Sequence, residues 1–310
     1  MPDYDAIIIG GGPAGISSLI WCASTGLRAV LLERSAEIGG QLLLMHHPLP
    51  DYPGLLPRDG RELRDHFENH LRSLQLEWRT SCEIESVDVA EKKIYGHGQA
   101  LSAHALILAP GVRKRWLDIP GEAALIGKGI SDNATRDRMY FAGRKVCVTG
   151  GGDSAFEDAF ILADVCPHVT LLHRSQNFRA RRSWIERVLQ HPRIEVITDV
   201  DVISVEAGEN QHQIAGVRIR HRRANEQRVI AAEGLVVQIG VTPNTEFLRG
   251  QVALDSGGWI RTDAYQQTSA EMVYAAGDVC HPVCLSVAVA CGQGAIAAKH
   301  LAERLRTDND

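Results

Sequence analysis

The chain reads as α/β, and three observations lead to that class. A short apolar run, Ala6-Ile7-Ile8-Ile9, ends in Gly10-x-Gly12-x-x-Gly15. A second run, Val146-Cys147-Val148, leads into Gly150-x-Gly152-x-x-Ala155. Beyond it, Val273 to Ala276 reads as one more short strand, closed sharply by Gly277-Asp278. Short apolar runs bounded by glycine suit parallel strands buried on both faces. Together they predict two Rossmann-like dinucleotide-binding domains, the second inserted in the first. A length of 310 residues fits two domains. The expected boundaries are 1–115 for the first part of one domain, 116–243 for the inserted domain and 244–310 for the return.

In the first unit, Gly10 allows the tight turn after the strand, and Gly12 lets backbone approach a pyrophosphate. Gly15 lets the helix expected over about 14–24 pack closely on the strand. The pyrophosphate would rest on that helix N-terminus. Next comes a strand, Arg28 to Leu32, and then Glu33, 23 residues after Gly10. A carboxylate there bonds a ribose hydroxyl and favours an adenosine ribose without a 2′-phosphate.

The second unit repeats the pattern with Ala155 in the third position. Its next strand, Val169 to Leu172, ends in His173-Arg174 instead of an acid, and Arg179, Arg181 and Arg182 follow. Guanidinium groups at this place suit a 2′-phosphate, so NADPH is expected ahead of NADH. A solvated, arginine-rich helix start is the plainer reading of the same residues. Two units imply two nucleotides, and a flavin with a nicotinamide is the usual pairing. The stretch Val283 to Arg304 is alanine-rich and periodic and reads as a closing helix.

These residues resemble the thioredoxin reductases of the low-molecular-weight type over nearly the whole length. The segments that carry the resemblance are IIIGGGPAGISS, IGGQLLL with DYPG after it, ALILAPG, VTGGGDSAFEDA, HRSQNFRA, GLVVQIGVTPNT and VYAAGDV. The resemblance implies an FAD domain, a smaller NADPH domain and a homodimer. It implies that Gly10, Gly12, Ala14, Glu33, Gly40, Gln41, Gly277 and Asp278 contact FAD, with Asp278 on the ribityl chain. It implies that Gly150, Gly152, Asp153, Ser154, Arg174 and Arg179 hold NADPH. The chain also departs from the family. Asn133-Ala134-Thr135-Arg136 stands where the family carries Cys-Ala-Thr-Cys, and Ser175 stands where the family has a second arginine.

The missing thiols have a candidate replacement. Directly after Asp278 the chain reads VCHPVCLSVAVACGQG, with Cys280, Cys284 and Cys291. A pair four residues apart can close a disulfide at a turn if the Cα atoms come within about 7 Å. Pro282 favours a turn or helix start, and a helix N-terminus lowers a thiol pKa. Cys280 and Cys284 are therefore the expected redox pair, exchanging electrons with an external disulfide. Buried free cysteines in an alanine-rich helix are common, and Cys291 fits that description. A zinc site from Cys280, His281 and Cys284 lacks a fourth ligand. Cys22, Cys82, Cys147 and Cys166 read as structural. His46 or His47 could serve as an acid or base near a flavin.

The leading function is an FAD-dependent disulfide oxidoreductase whose partner is a thioredoxin-like protein or a small disulfide. In outline it is similar to the diflavin-linked disulfide oxidoreductases, which implies a second FAD and a ferredoxin-like donor. The alternatives are a thioredoxin reductase-like ferredoxin–NADP reductase, a dithiol oxidase and a non-catalytic flavin sensor. The net charge of −5 argues against general nucleic-acid affinity. No apolar run approaches the roughly 20 residues of a membrane span. Seven cysteines, an odd count, without a secretory signal point to a cytoplasmic protein whose disulfides are redox-active, not structural.

Overall fold

The computed structural model describes residues 2–96, 99–208, 213–248, 250–281 and 283–307. It falls into two compact units, Met1–Arg113 with Thr242–Asp310, and Lys114–Val241 between them.

In the first unit the strands Glu77–Arg79, Ala29–Leu32, Tyr4–Ile9, Gln99–Leu108 and Val273–Ala275 pair in parallel, in that order. Lys93–Gly96 and Ser86–Asp88 extend the sheet antiparallel from Gln99–Leu108. The apolar runs fall in the middle of this sheet: Ile7, Ile8, Leu31, Leu106 and Ile107 have no exposed surface. Residues on one face meet two helices, Pro13–Ser24 and Val287–Thr307, through Ile8, Ile16, Leu19, Ala297 and Leu301. These helices lie very close, because a Cβ at Gly294 would stand 2.3 Å from the Ala14 carbonyl oxygen. The closing helix begins at Val287, four residues later than its alanine-rich pattern suggests. The Ser286 hydroxyl accepts the Val289 N–H at 3.3 Å, a side-chain cap that starts the helix there.

The second unit holds a five-stranded parallel sheet in the order Ile194–Ile197, His168–Leu172, Lys145–Gly150, Gly234–Gln238, Ile130–Ser131. Helix Asp153–Ala163 covers one face through Phe156, Ala159 and Leu162. An antiparallel sheet of Val200–Ala207, Ile214–His221 and Gln227–Ala231 buries Val202, Val217 and Ile219 with Leu235 and Val237 on the other. Both units therefore have the parallel, helix-covered sheet expected from their strand patterns. Among the described residues no helix is long and apolar enough to cross a membrane.

Candidate functional site

The first unit contains a cavity of about 650 Å³ at the carboxyl ends of its parallel strands, the place where ligands bind in open α/β sheets. Its wall begins with residues 9–14. Gly10 has φ +106, and a Cβ there would lie 2.1 Å from the Ala109 carbonyl oxygen, so only glycine makes this turn. Gly15 is not in the lining; a Cβ there would sit 1.9 Å from the Gly10 carbonyl oxygen, so its absence of side chain seats the helix on the turn. Gly12 is the helix N-cap, with no side-chain cap, and a Cβ on it would enter open space. The helix start is thus open to an anion.

Glu33, 7% exposed, lies beside this turn. Its Oε2 accepts the Gly11 N–H at 2.6 Å and its Oε1 the Ser35 N–H at 2.7 Å. A carboxylate has about four acceptor positions, so both oxygens keep room for hydroxyl donors. Gln41 Nε2 donates to the Val112 carbonyl at 2.8 Å, and the Gly277 N–H donates to Gln293 Oε1 at 2.9 Å. Burial pushes the Asp278 carboxyl up; its side chain lines the cavity with no protein donor on it among the described residues.

Gly10, Gly12, Ala14, Glu33, Gly40, Gln41, Gly277 and Asp278 all line this one cavity. The volume lies within the range of cofactor pockets. Gly40 faces Gly12, 3.0 Å from a built Cβ to its Cα. An undecorated glycine cradle, an open helix N-terminus, and a half-buried Asp278 carboxyl with no protein donor on it among the described residues fit FAD. Sequence reasoning passed over Arg113, Asn244 and Glu246, which also line the cavity. Arg113 is ion-paired with Glu246, and its Nη1 donates to Asn244 Oδ1 at 3.0 Å. Of the three only Asn244 lies in a segment that carried the resemblance, GLVVQIGVTPNT. Cys82, read as structural, lines the cavity as well. His46 and His47 are exposed and are not part of it.

The cysteines of the 280–291 segment are differently placed. Neither Cys280 nor Cys284 lines the cavity, and both are free thiols. Cys280 packs against the core with Val279 and Val273. Burial pushes its thiol up to about 12, against a hydrogen bond with the Thr262 side chain that lowers it. Cys284 is exposed. It precedes the Val287–Thr307 helix by three residues, outside the first turn. Pro282 lies outside the described residues. Cys291 is half-buried, its thiol 3.7 Å from the Pro13 carbonyl oxygen and pushed up by burial to about 11. Among the described residues no three His, Cys, Asp or Glu side chains gather to hold a metal.

In the second unit, Gly150 has φ +154, and a Cβ there would lie 2.3 Å from the Gln238 carbonyl oxygen. Gly152 is the N-cap of the next helix, again without a side-chain cap and with open space at its Cβ position. Asp153, at the first helical position, is held by Arg181: Nε to Oδ2 at 2.7 Å and the backbone N–H to Oδ1 at 2.7 Å. Arg182 pairs with Glu186. Ser154, Arg174 and Arg179 are exposed. Arg179 is anchored by its own backbone N–H to the Gly151 carbonyl at 2.7 Å. The His173 ring fills the space above Gly151, where a Cβ would meet it at 2.1 Å.

The Asn133–Arg136 stretch is a helix start. Asn133 Oδ1 accepts the Arg136 N–H at 2.8 Å, capping Ala134–Phe141. The Arg136 guanidinium lies between Asp137, at 2.7 Å, and Asp132, at 3.2 Å, and these acids raise its pKa. A cap and an ion pair thus stand where the resemblance would put two sulfurs.

Known proteins resemble this chain over nearly its whole length. The thioredoxin reductase of Mycolicibacterium smegmatis is 34% identical over 99% of this chain and 98% of that protein. That of Rickettsia typhi is 34% identical over 96% and 97%. Among solved structures, Lactococcus lactis thioredoxin reductase superposes with a TM-score of 0.87 at 30% identity, over 97% of this chain and 98% of that one. The bacillithiol disulfide reductase of Staphylococcus aureus, at 19% identity and a TM-score of 0.79, shares the fold. The family described as pyridine nucleotide-disulphide oxidoreductase matches residues 4–294, and the chain belongs to that family.

Proposed function

We propose that this chain is an FAD-dependent disulfide oxidoreductase fed by a nicotinamide nucleotide, NADPH before NADH. The observation that supports it most is the cavity of the first unit, where the glycine turn, Glu33 and Asp278 converge. The backbone of residues 10–14 would hold the pyrophosphate, Glu33 the adenosine ribose and Asp278 the ribityl hydroxyls. When bound, FAD supplies two-electron chemistry. In the second unit, the N-terminus of helix Asp153–Ala163 would take the nucleotide pyrophosphate, with Arg174 and Arg179 on its 2′-phosphate. Several relatives bear the name thioredoxin reductase, which favours a thioredoxin-like protein or a small disulfide as acceptor. The assembly proposed is a homodimer.

The thiol step would run through Cys280 and Cys284. Their disulfide takes up two electrons and two protons from the FAD site and opens to two thiols. Cys284, the exposed one, then attacks an external disulfide as thiolate, forming a mixed disulfide with one of its sulfurs and releasing the other as a thiol after it takes up a proton. Cys280 displaces the second sulfur, which leaves as a thiol, and the internal disulfide closes again. Cys280 must leave its place against the core for this, since a thiol pushed to about 12 is no nucleophile at neutral pH.

A second reading has support of its own. Because neither cysteine lines the cavity, electrons could pass from the FAD site to an acceptor with no protein thiol between. An anaerobic titration of the purified protein with NADPH, followed by the flavin spectrum and a thiol count, separates the two. The relocated pair requires two new thiols per chain, lost in Cys284→Ser. Flavin bleaching without new thiols would leave only the second reading. Bleaching by dithionite but not by NADPH would remove the nicotinamide donor.

A further inference from the structure

In the parallel sheet of the second unit the strand order reverses between Lys145–Gly150, whose successors are added on one side, and Gly234–Gln238 on the other. Such a switch point is where dinucleotides lie across an α/β sheet. Gly150 and Gln238 end their strands and are paired in register. On one side stand His173 and Arg174, the side expected to take the phosphorylated ribose. A dinucleotide whose pyrophosphate rests on the Asp153–Ala163 helix must then send its other half to the opposite side, past Gln238.

That side carries a connected polar cluster. Lys114 Nζ donates to Gln238 Oε1 at 2.9 Å. Gln238 Nε2 donates to Asp158 Oδ2 at 2.5 Å and to the Asp132 carbonyl oxygen at 3.0 Å. Asp158 also takes the Ala134 backbone N–H. Asp158 is 8% exposed, while Lys114 and Gln238 are half-buried. Three partners fix which way the Gln238 amide points. Asp158 takes the first N–H of helix Ala134–Phe141 and Asn133 the third, so the helix start accounts for one acceptor position of Asp158 but for neither Lys114 nor Gln238. A buried carboxyl is costly, and apolar packing would join these elements as well.

We propose that Lys114 and Gln238 determine specificity for the nicotinamide ring, with Asp158 as the positioning residue that holds the Gln238 amide. An ammonium has three N–H donors and one is spent on Gln238, which leaves donors for the carboxamide oxygen of the ring. The second lone pair of Gln238 Oε1 accepts from the carboxamide NH₂. This assignment rests on reading the second unit as a nicotinamide-nucleotide site.

Two probes that differ only in the ring test it: NADP⁺ and 2′-phospho-ADP-ribose, titrated calorimetrically into the FAD-loaded protein. Gln238→Ala should weaken NADP⁺ about tenfold, the loss of one to two hydrogen bonds, and leave 2′-phospho-ADP-ribose within about twofold. Lys114→Met, at the start of the unit, gives the same test should Gln238→Ala fail to fold. Asp158→Asn should weaken NADP⁺ alone, by less. Equal losses for both probes, or none, would overturn the assignment. Wild-type protein that binds both probes equally would overturn it too and leave the nucleotide site standing. Wild-type protein that binds neither would remove the nucleotide reading itself, and this assignment with it.

Discussion

In the first unit the carboxylate beside the glycine turn, Glu33, accepts two backbone N–H groups, from Gly11 and Ser35. In the second, the carboxyl buried near the turn, Asp158, accepts a side-chain amide that is itself held by Lys114. The frames match: a strand, a glycine with positive φ pressed on the neighbouring strand end, and an uncapped helix. What each frame buries differs. Rigid backbone donors keep Glu33 in one place whatever side chains lie nearby. Asp158 has one backbone donor, the Ala134 N–H, and depends for the rest on the Gln238 and Lys114 side chains; burial pushes its carboxyl up to about 7 against the pull of all three. The first crevice is a fixed cradle, and the second is tuned by a few side chains.

The largest test of this contrast is Asp158→Asn. The folded pKa of Asp158 is raised, so its stability contribution is full below about pH 4 and is lost as pH rises through about 7. The variant does not titrate. Its unfolding free energy should therefore gain on that of wild type between pH 4 and 8, by up to about 4 kcal/mol, as measured by denaturant titration. A gap that is constant across this range would mean that Asp158 is not the titrating group.

Next come the two N-cap glycines. Gly12 has φ −78 and Gly152 φ −101, and a Cβ on either enters open space. Alanine should leave both folds intact and crowd only a ligand, costing about 1–3 kcal/mol of binding. Gly12→Ala should lower FAD retention, read from the flavin absorbance of purified protein, and spare NADPH binding. Gly152→Ala should do the reverse. Loss of FAD from both variants would break the assignment of one nucleotide to each unit.

The smallest effect is expected at the surface. Arg174 is exposed, so Arg174→Ala should raise the KM for NADPH about tenfold, with NADH little changed and the effect shrinking in high salt. An equal change for both coenzymes would mean that Arg174 does not read the 2′-phosphate.

Much of the first site was legible because its signals are local. A glycine turn shows itself in a few consecutive residues, since the need for positive φ or close backbone approach acts at one position. Glu33 follows from the length of one strand–helix–strand unit. The second unit's turn was equally plain, but its arginines were not sorted: Arg181 and Arg182 are spent on Asp153 and Glu186. The cysteines were read by proximity in sequence to Asp278. A short helical turn at Asp278–Cys280 rotates successive side chains to different faces, so Asp278 lines the cavity and Cys280 does not.

The sequence by itself determined the α/β class, the two glycine turns and the acid of the first unit, because strand burial, φ and unit length are set by neighbouring residues. Only the tertiary structure decided which side chains share a crevice. Lys114, Asp158 and Gln238 come from three distant parts of the chain, as do Arg113 and Glu246. Sheet pairing brings such residues together at strand ends, and nothing in the spacing of one side chain records where the other will arrive.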